Sequence, residues 1–227
     1  MLPRVLIAGV ESGSGKTTIA LGLMLAFKAH GLIVQIFQKG ARGADLSVIE
    51  GVMGLFDGFG PGEERGSTAH LAKLLKVPVI LVIDAAKTAT SAAAIALGCR
   101  EFDKEIQIAG IIFNRVGSPG HYHWLKHTLE ARVGIPSLGY LSLDPALRLE
   151  ERHLGLVPSA ERAPGPRFYA RLLELIPSTV DLDKVLDIAR SAPQLPSLVA
   201  GLALPLQTPP QTIMQPDKLS LGYVEVE

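Results

Sequence analysis

A single cysteine, Cys99, among 227 residues excludes an internal disulfide framework and any cysteine-rich metal site. An excess of either charge is missing too. The 22 basic and 22 acidic residues cancel, which removes the electrostatic footprint of a nucleic-acid binder or of a protein held on a membrane surface. No apolar stretch reaches the roughly 18 residues of a membrane span. The N-terminal MLPRVLIAGVESGSG also lacks the cleavage region of a signal peptide. The expectation is no nucleic acid, no membrane, and a cytoplasmic, reducing location. What is present is a 48% apolar composition, enough for a sizeable core in one domain, or one domain with an appendage.

Proline divides the chain. Six of the 16 prolines lie in residues 1–157 and ten beyond. The late segments SAPQLPSLVAG and ALPLQTPPQTIMQP carry the punctuation of linkers, interrupted by one short helix over Val180–Arg190 whose apolar residues fall at helical spacing. In the first part, short apolar runs rich in β-branched residues read as strands over 4–8, 32–37, 46–49, 79–83, 109–113 and 137–141. Helical patterns cover 17–30, 67–75, 86–101 and 121–132. This alternation predicts an α/β fold, a mainly parallel sheet flanked by helices, with a proline-rich C-terminal tail. Ligands of such sheets sit at the carboxyl ends of the strands.

Directly after the first strand comes Gly9-Val-Glu-Ser-Gly13-Ser-Gly15-Lys16-Thr17-Thr18, and then a helix. Glycines let such a loop turn its backbone N–H groups onto phosphate oxygens, and the helix N-terminus adds its positive dipole. Lys16 reaches the β- and γ-phosphates, and Thr17 offers its hydroxyl to Mg²⁺. The fold is therefore expected to be of the P-loop NTPase kind, binding ATP and Mg²⁺ through Gly9, Ser12, Gly13, Ser14, Gly15, Lys16, Thr17 and Thr18. The leading glycine stands one residue further out than in the common pattern, a spacing that resembles the dethiobiotin-synthetase-like branch of P-loop proteins.

A P-loop needs a partner carboxylate at the end of a neighbouring strand to hold the metal. Glu50 ends the 46–49 run and is followed at once by glycine. It is the expected second metal residue beside Thr17, and with Lys16 the expected catalytic pair. An ordinary strand-ending glutamate is the plain alternative. Asp84, after the 79–83 run, faces the same crevice as an accessory or a structural residue.

The run Val-Ile-Glu-Gly-Val-Met-Gly-Leu-Phe-Asp-Gly at 48–58 closely resembles the cobyrinic acid a,c-diamide synthase family. So do Gly-Ser-Gly-Lys-Thr-Thr at 13–18, Ile-Ala-Gly-Ile-Ile-Phe-Asn-Arg-Val-Gly-Ser at 108–118, and Leu-Glu-Glu-Arg-His-Leu-Gly-Leu-Val at 149–157. The resemblance implies an ATP-dependent amidoligase in cobalamin biosynthesis. Acetate carboxylates of a corrin-type tetrapyrrole would be phosphorylated and then attacked by ammonia, which a C-terminal class I glutaminase domain normally releases from glutamine. It also implies an adenine contact for Asn114, where a turn residue is the plain alternative. An ATP-switched binding module and a dethiobiotin-synthetase-like enzyme stay open, as does a homodimer.

The expected organisation is a synthetase domain over 1–160, a helix and proline-rich linker over 161–212, and a strip at 213–227 resembling part of a glutaminase domain. Free ammonia or a separate glutaminase would then supply the nitrogen. Between Lys39-Gly40 and Ala41-Arg42 the family's proline–aspartate segment is skipped, and its usual lysine at the end of the second strand appears as Gln38, with Lys39 next to it. His121, His123 and His127 read as a solvated or half-buried helix face rather than a metal site. His153 lies in a family-like segment without an assigned role. Cys99 reads as a small core residue.

Overall fold

The computed structural model describes residues 2–36, 43–149 and 164–194. The first strand, β1 (Arg4–Gly9), is buried along its whole length. Its side chains alternate between two cores, as a strand's period of two requires. Leu6 and Ala8 join one apolar cluster, and Val5 and Ile7 the other. Both faces of the sheet are therefore covered, which explains why the strands read as unbroken apolar runs.

The remaining strands are β2 (Val34–Ile36), β3 (Leu46–Glu50), β4 (Val79–Asp84), β5 (Ile108–Val116) and β6 (Ser137–Ser142). They form one six-stranded sheet in the order β2-β3-β1-β4-β5-β6, with every neighbouring pair parallel. The expected α/β architecture is met. Helices α2 (Thr68–Leu75), α3 (Thr90–Phe102) and α4 (Pro119–Val133) cover one face through residues such as Ala72, Ala96 and Leu129. The other face carries α1 (Lys16–Ala29), α5 (Pro166–Thr179) and α6 (Leu182–Arg190), with Leu23, Leu172 and Val185 in its core.

Several boundaries differ from the sequence reading for local reasons. The second strand is shorter at its start because the Ile33 backbone turns to Asp45: its N–H donates to Asp45 Oδ2 at 2.8 Å and its carbonyl accepts from the Asp45 N–H. Its expected last residue, Phe37, lies outside the described residues, as do Gln38, Lys39, His153 and the proline-rich tail beyond 194. Helix α3 begins at Thr90 rather than Ala86, because the Ala86 N–H donates to Asp84 Oδ1 at 3.0 Å and closes a turn there instead. The fifth strand runs on past Asn114 to Val116. Helix α5, which the sequence reading did not place, packs along α1. At the amino end of β1, Arg4 donates to the carbonyls of Leu75 and Pro193 and ties the end of α2 to the segment after α6.

Candidate functional site

β1 sits between β3 and β4, and the chain crosses from one side of β1 to the other as it passes from β3 to β4. The carboxyl ends of these strands with that of β5 make the crevice where open α/β sheets bind ligands. The loop after β1 fills it. Gly13 and Gly15 both take positive φ, 75° and 98°, a conformation that side-chain-bearing residues rarely adopt. Ser14 is buried, and its Oγ meets no hydrogen-bonding partner among the described residues. Ser12 stands exposed on the outer side of the loop, while Thr18 is buried in the first turn of α1.

Lys16 is also buried, and its Nζ donates to the Glu11 carbonyl at 2.9 Å. Burial holds its ammonium below the ordinary lysine range, although Glu50, Asp57 and Glu11 pull the other way. The carboxylates around it therefore do not compensate the charge. Glu50 shows the complementary imbalance. It pairs in register with Ile7 of β1, and its Oε1 accepts from Thr17 Oγ1 at 2.5 Å. Part of Glu50 is open to solvent, yet the protein around the carboxyl limits its hydration. Burial pushes its pKa up, against the Thr17 hydrogen bond and the Lys16 charge. A cation short of anions and a carboxylate short of cations stand side by side. The donor set fits a magnesium–phosphate group: phosphates would answer Lys16 and Ser14, and the metal would answer Glu50 and Thr17.

Asn114 reaches the same loop from β5. It is buried, pairs in register with Asp84, and donates from Nδ2 to the Ser14 carbonyl at 3.0 Å. Its next neighbour, Arg115, was not singled out from the sequence. Arg115 Nη2 donates to the Gly13 carbonyl at 2.6 Å and meets Asp84 Oδ2 at 2.8 Å. Asp57 is a second residue the sequence quoted only as part of a run. It accepts from the Gly54 N–H at 2.9 Å and lends negative charge to Lys16. The 51–58 loop that carries it is stitched to β1 by the Leu55 N–H donating to the Gly9 carbonyl at 2.8 Å. An acid seven residues past the end of β3 was visible, but not the return of its loop to Lys16.

The histidines do not form a metal site. His121 Nδ1 accepts from the Gly117 N–H and its Nε2 lies 2.7 Å from the Thr88 carbonyl, while His123 and His127 are exposed. No group of three metal-ligating side chains occurs among the described residues. Among them, too, no helix is long and apolar enough to cross a membrane.

The chain is 41% identical over 230 residues to a cobyrinate a,c-diamide synthase of Listeria innocua, covering 85% of this chain and 51% of that protein. It is 41% identical over 235 residues to a hydrogenobyrinate a,c-diamide synthase of Thermobifida fusca, covering 86% and 49%. It thus spans about half the length of the curated relatives it matches. Among solved structures, the septum site-determining protein MinD of Pyrococcus horikoshii, complexed with Mg-ADP, aligns at a TM-score of 0.49 and 17% identity over 83% of this chain and 99% of that one. The CobQ/CobB/MinD/ParA nucleotide binding domain matches residues 5–157, and the chain belongs to that family.

Proposed function

We propose that this chain is the ATP-dependent amidating part of a cobyrinate a,c-diamide synthase, acting on the a and c acetate carboxylates of cobyrinic acid or a related tetrapyrrole. The substrate class comes from the names of the relatives that are 41% identical to it. The observation that carries the chemistry is the pairing of buried Lys16 with the Thr17–Glu50 hydrogen bond at one strand edge. A substrate carboxylate oxygen attacks the γ-phosphorus of ATP, the bond to the β–γ bridging oxygen breaks, and ADP leaves. Ammonia then adds to the acyl phosphate, and inorganic phosphate departs as the amide forms.

Lys16 and the loop N–H groups stabilise the charge that gathers on the bridging oxygen as ADP leaves. Bound Mg²⁺ supplies neutralisation of the β- and γ-phosphates, and Thr17 and Glu50 are the residues that would hold it. Asn114, whose amide nitrogen already anchors the loop, keeps its oxygen for the adenine. In this reading residues 1–160 carry the synthetase site, and helices α5 and α6 complete that domain by packing on the same sheet rather than serving as linker. The proline-rich remainder to 212 is the linker, and 213–227 is a strip of a glutaminase domain. The nitrogen comes from that domain's glutamine or from free ammonia, and the reaction belongs in the cytoplasm.

The test is ATP turnover with ammonium present, with and without a polycarboxylate tetrapyrrole. Tetrapyrrole-dependent ADP release together with an amide product supports the reading. ATP binding without any tetrapyrrole-dependent turnover overturns it in favour of a nucleotide-switched module.

A further inference from the structure

Successive residues of a strand point to opposite faces, yet Asn114 and Arg115 both hold the phosphate loop, through the Ser14 and Gly13 carbonyls. The backbone of Arg115 explains how. Its φ is 57°, in the left-handed region, and this breaks the alternation near the end of β5. A non-glycine residue held in that region is strained and persists only where its surroundings over-determine it. Here the guanidinium is held through one nitrogen, Nη2, which reaches both the Gly13 carbonyl and Asp84 Oδ2, while Asp84 Oδ1 is itself held by the Ala86 N–H.

In a planar trans peptide the C=O of one residue and the N–H of the next point in opposite directions. Anchoring the Gly13 carbonyl to Arg115 therefore turns the Ser14 N–H away from that side chain. Anchoring the Ser14 carbonyl to Asn114 does the same for the Gly15 N–H. Neither N–H donates to a protein acceptor among the described residues. Two adjacent donors are thus aimed and left for a ligand, as in backbone anion nests.

We propose that Arg115 is a positioning residue that presets the phosphate loop for nucleotide, and that Asp84 acts through it by holding the guanidinium in place. The inference rests on the nucleotide reading of this loop. It adds a role for Arg115, which touches the loop backbone and not the reacting atoms, and for Asp84 behind it.

The test is titration of Mg·ATP into the chain and its Arg115→Met, Arg115→Lys, Asp84→Asn and double Asp84→Asn/Arg115→Met variants, with thermal melting of each without ligand. Arg115→Met should weaken Mg·ATP binding by about tenfold or more, the loss of a charge-assisted contact. Asp84→Asn should weaken it by a smaller factor. The double variant should bind no worse than Arg115→Met alone, and Arg115→Lys should recover part of the affinity. Lower melting temperatures with unchanged affinity overturn the proposal by showing a structural role only. Independent, multiplying losses in the double variant overturn the relay from Asp84. If the parent chain does not bind Mg·ATP, the nucleotide reading fails and this proposal with it; if the parent binds and the variants match it, this proposal alone fails.

Discussion

The side-chain amide of Asn114 occupies the space that a β-carbon on Gly15 would need: an ideal Cβ there would lie 2.0 Å from Nδ2 and 2.9 Å from Cγ of Asn114. Gly15 also sits at φ 98° as the residue that opens α1. Its lack of a side chain therefore serves the loop conformation and the approach of β5 at once. Gly15→Ala should destabilise the protein by about 1–3 kcal/mol through backbone strain and should displace Asn114 from the Ser14 carbonyl. Thermal unfolding should register the first effect, and titration should show Mg·ATP affinity lower by at least an order of magnitude. An alanine variant that melts lower but binds ATP like the parent would show that the Asn114 anchor is dispensable.

Lys16 sits in the fold with its charge incompletely compensated. Burial lowers its pKa despite the three carboxylates that raise it, so the ammonium strains the apo protein at neutral pH, and that strain is relieved only as pH rises through the lowered value. Lys16→Met keeps the length and removes the charge. It should melt no lower than the parent without ligand, yet lose roughly 1.5–3 kcal/mol of Mg·ATP binding, the worth of a charge-assisted hydrogen bond. Unchanged ATP affinity by calorimetry would remove Lys16 from the phosphate site.

Glu50 gives the corresponding pH prediction with the opposite charge. Its folded pKa is raised by burial, so the folded protein retains a proton there over a window in which the unfolded chain has already released one. The stability this group contributes is complete below the ordinary carboxylate pKa and is lost as pH rises through the raised value. Apo Glu50→Gln should accordingly melt above the parent at neutral pH, with the gap closing on acidification below the ordinary carboxylate range. The same variant should keep nucleotide affinity within about an order of magnitude, because other groups hold the phosphates, while turnover falls sharply. Equal melting at neutral pH together with equal turnover would make Glu50 an ordinary strand-ending residue.

The sequence disclosed most of this site because a phosphate loop is a local object. The residues from Gly9 to Thr18 are contiguous, and their chemistry follows from composition and spacing alone. Glu50 was legible because an apolar run ended on it. Arg115 was not, since its contact with Gly13 spans 102 residues and depends on a backbone twist that no spacing announces. Helix α5 escaped for another reason. Phe168, Leu172 and Ile176 fall at intervals of four and are buried, but Pro164 and Pro166 at its start and Pro177 within it lowered its helical signal. Its packing depends on a distant residue: a β-carbon on Gly22 of α1 would come within 2.6 Å of the Ile176 side chain. Tertiary burial, rather than local propensity, makes that helix part of the fold.

The 227-residue chain should not release ammonia from glutamine. Class I glutamine hydrolysis needs a thiolate nucleophile, a histidine that activates it, and an oxyanion hole beside the sulfur. The chain has one thiol, Cys99. It lies on α3, half-buried against the core, and burial raises its pKa above the ordinary thiol range, which keeps it protonated and a poor nucleophile at neutral pH. On the adjoining helix α4, His121 is engaged elsewhere, with one ring nitrogen on the Gly117 N–H and the other on the Thr88 carbonyl, and His123 and His127 are exposed. Amide formation by this chain should therefore need added ammonium or a separate glutaminase. Purified chain incubated with glutamine should yield no glutamate above the background of a glutamine-only control. Glutamate release that disappears in Cys99→Ser would overturn the argument, since it would require a burial-raised helical thiol to act as the nucleophile.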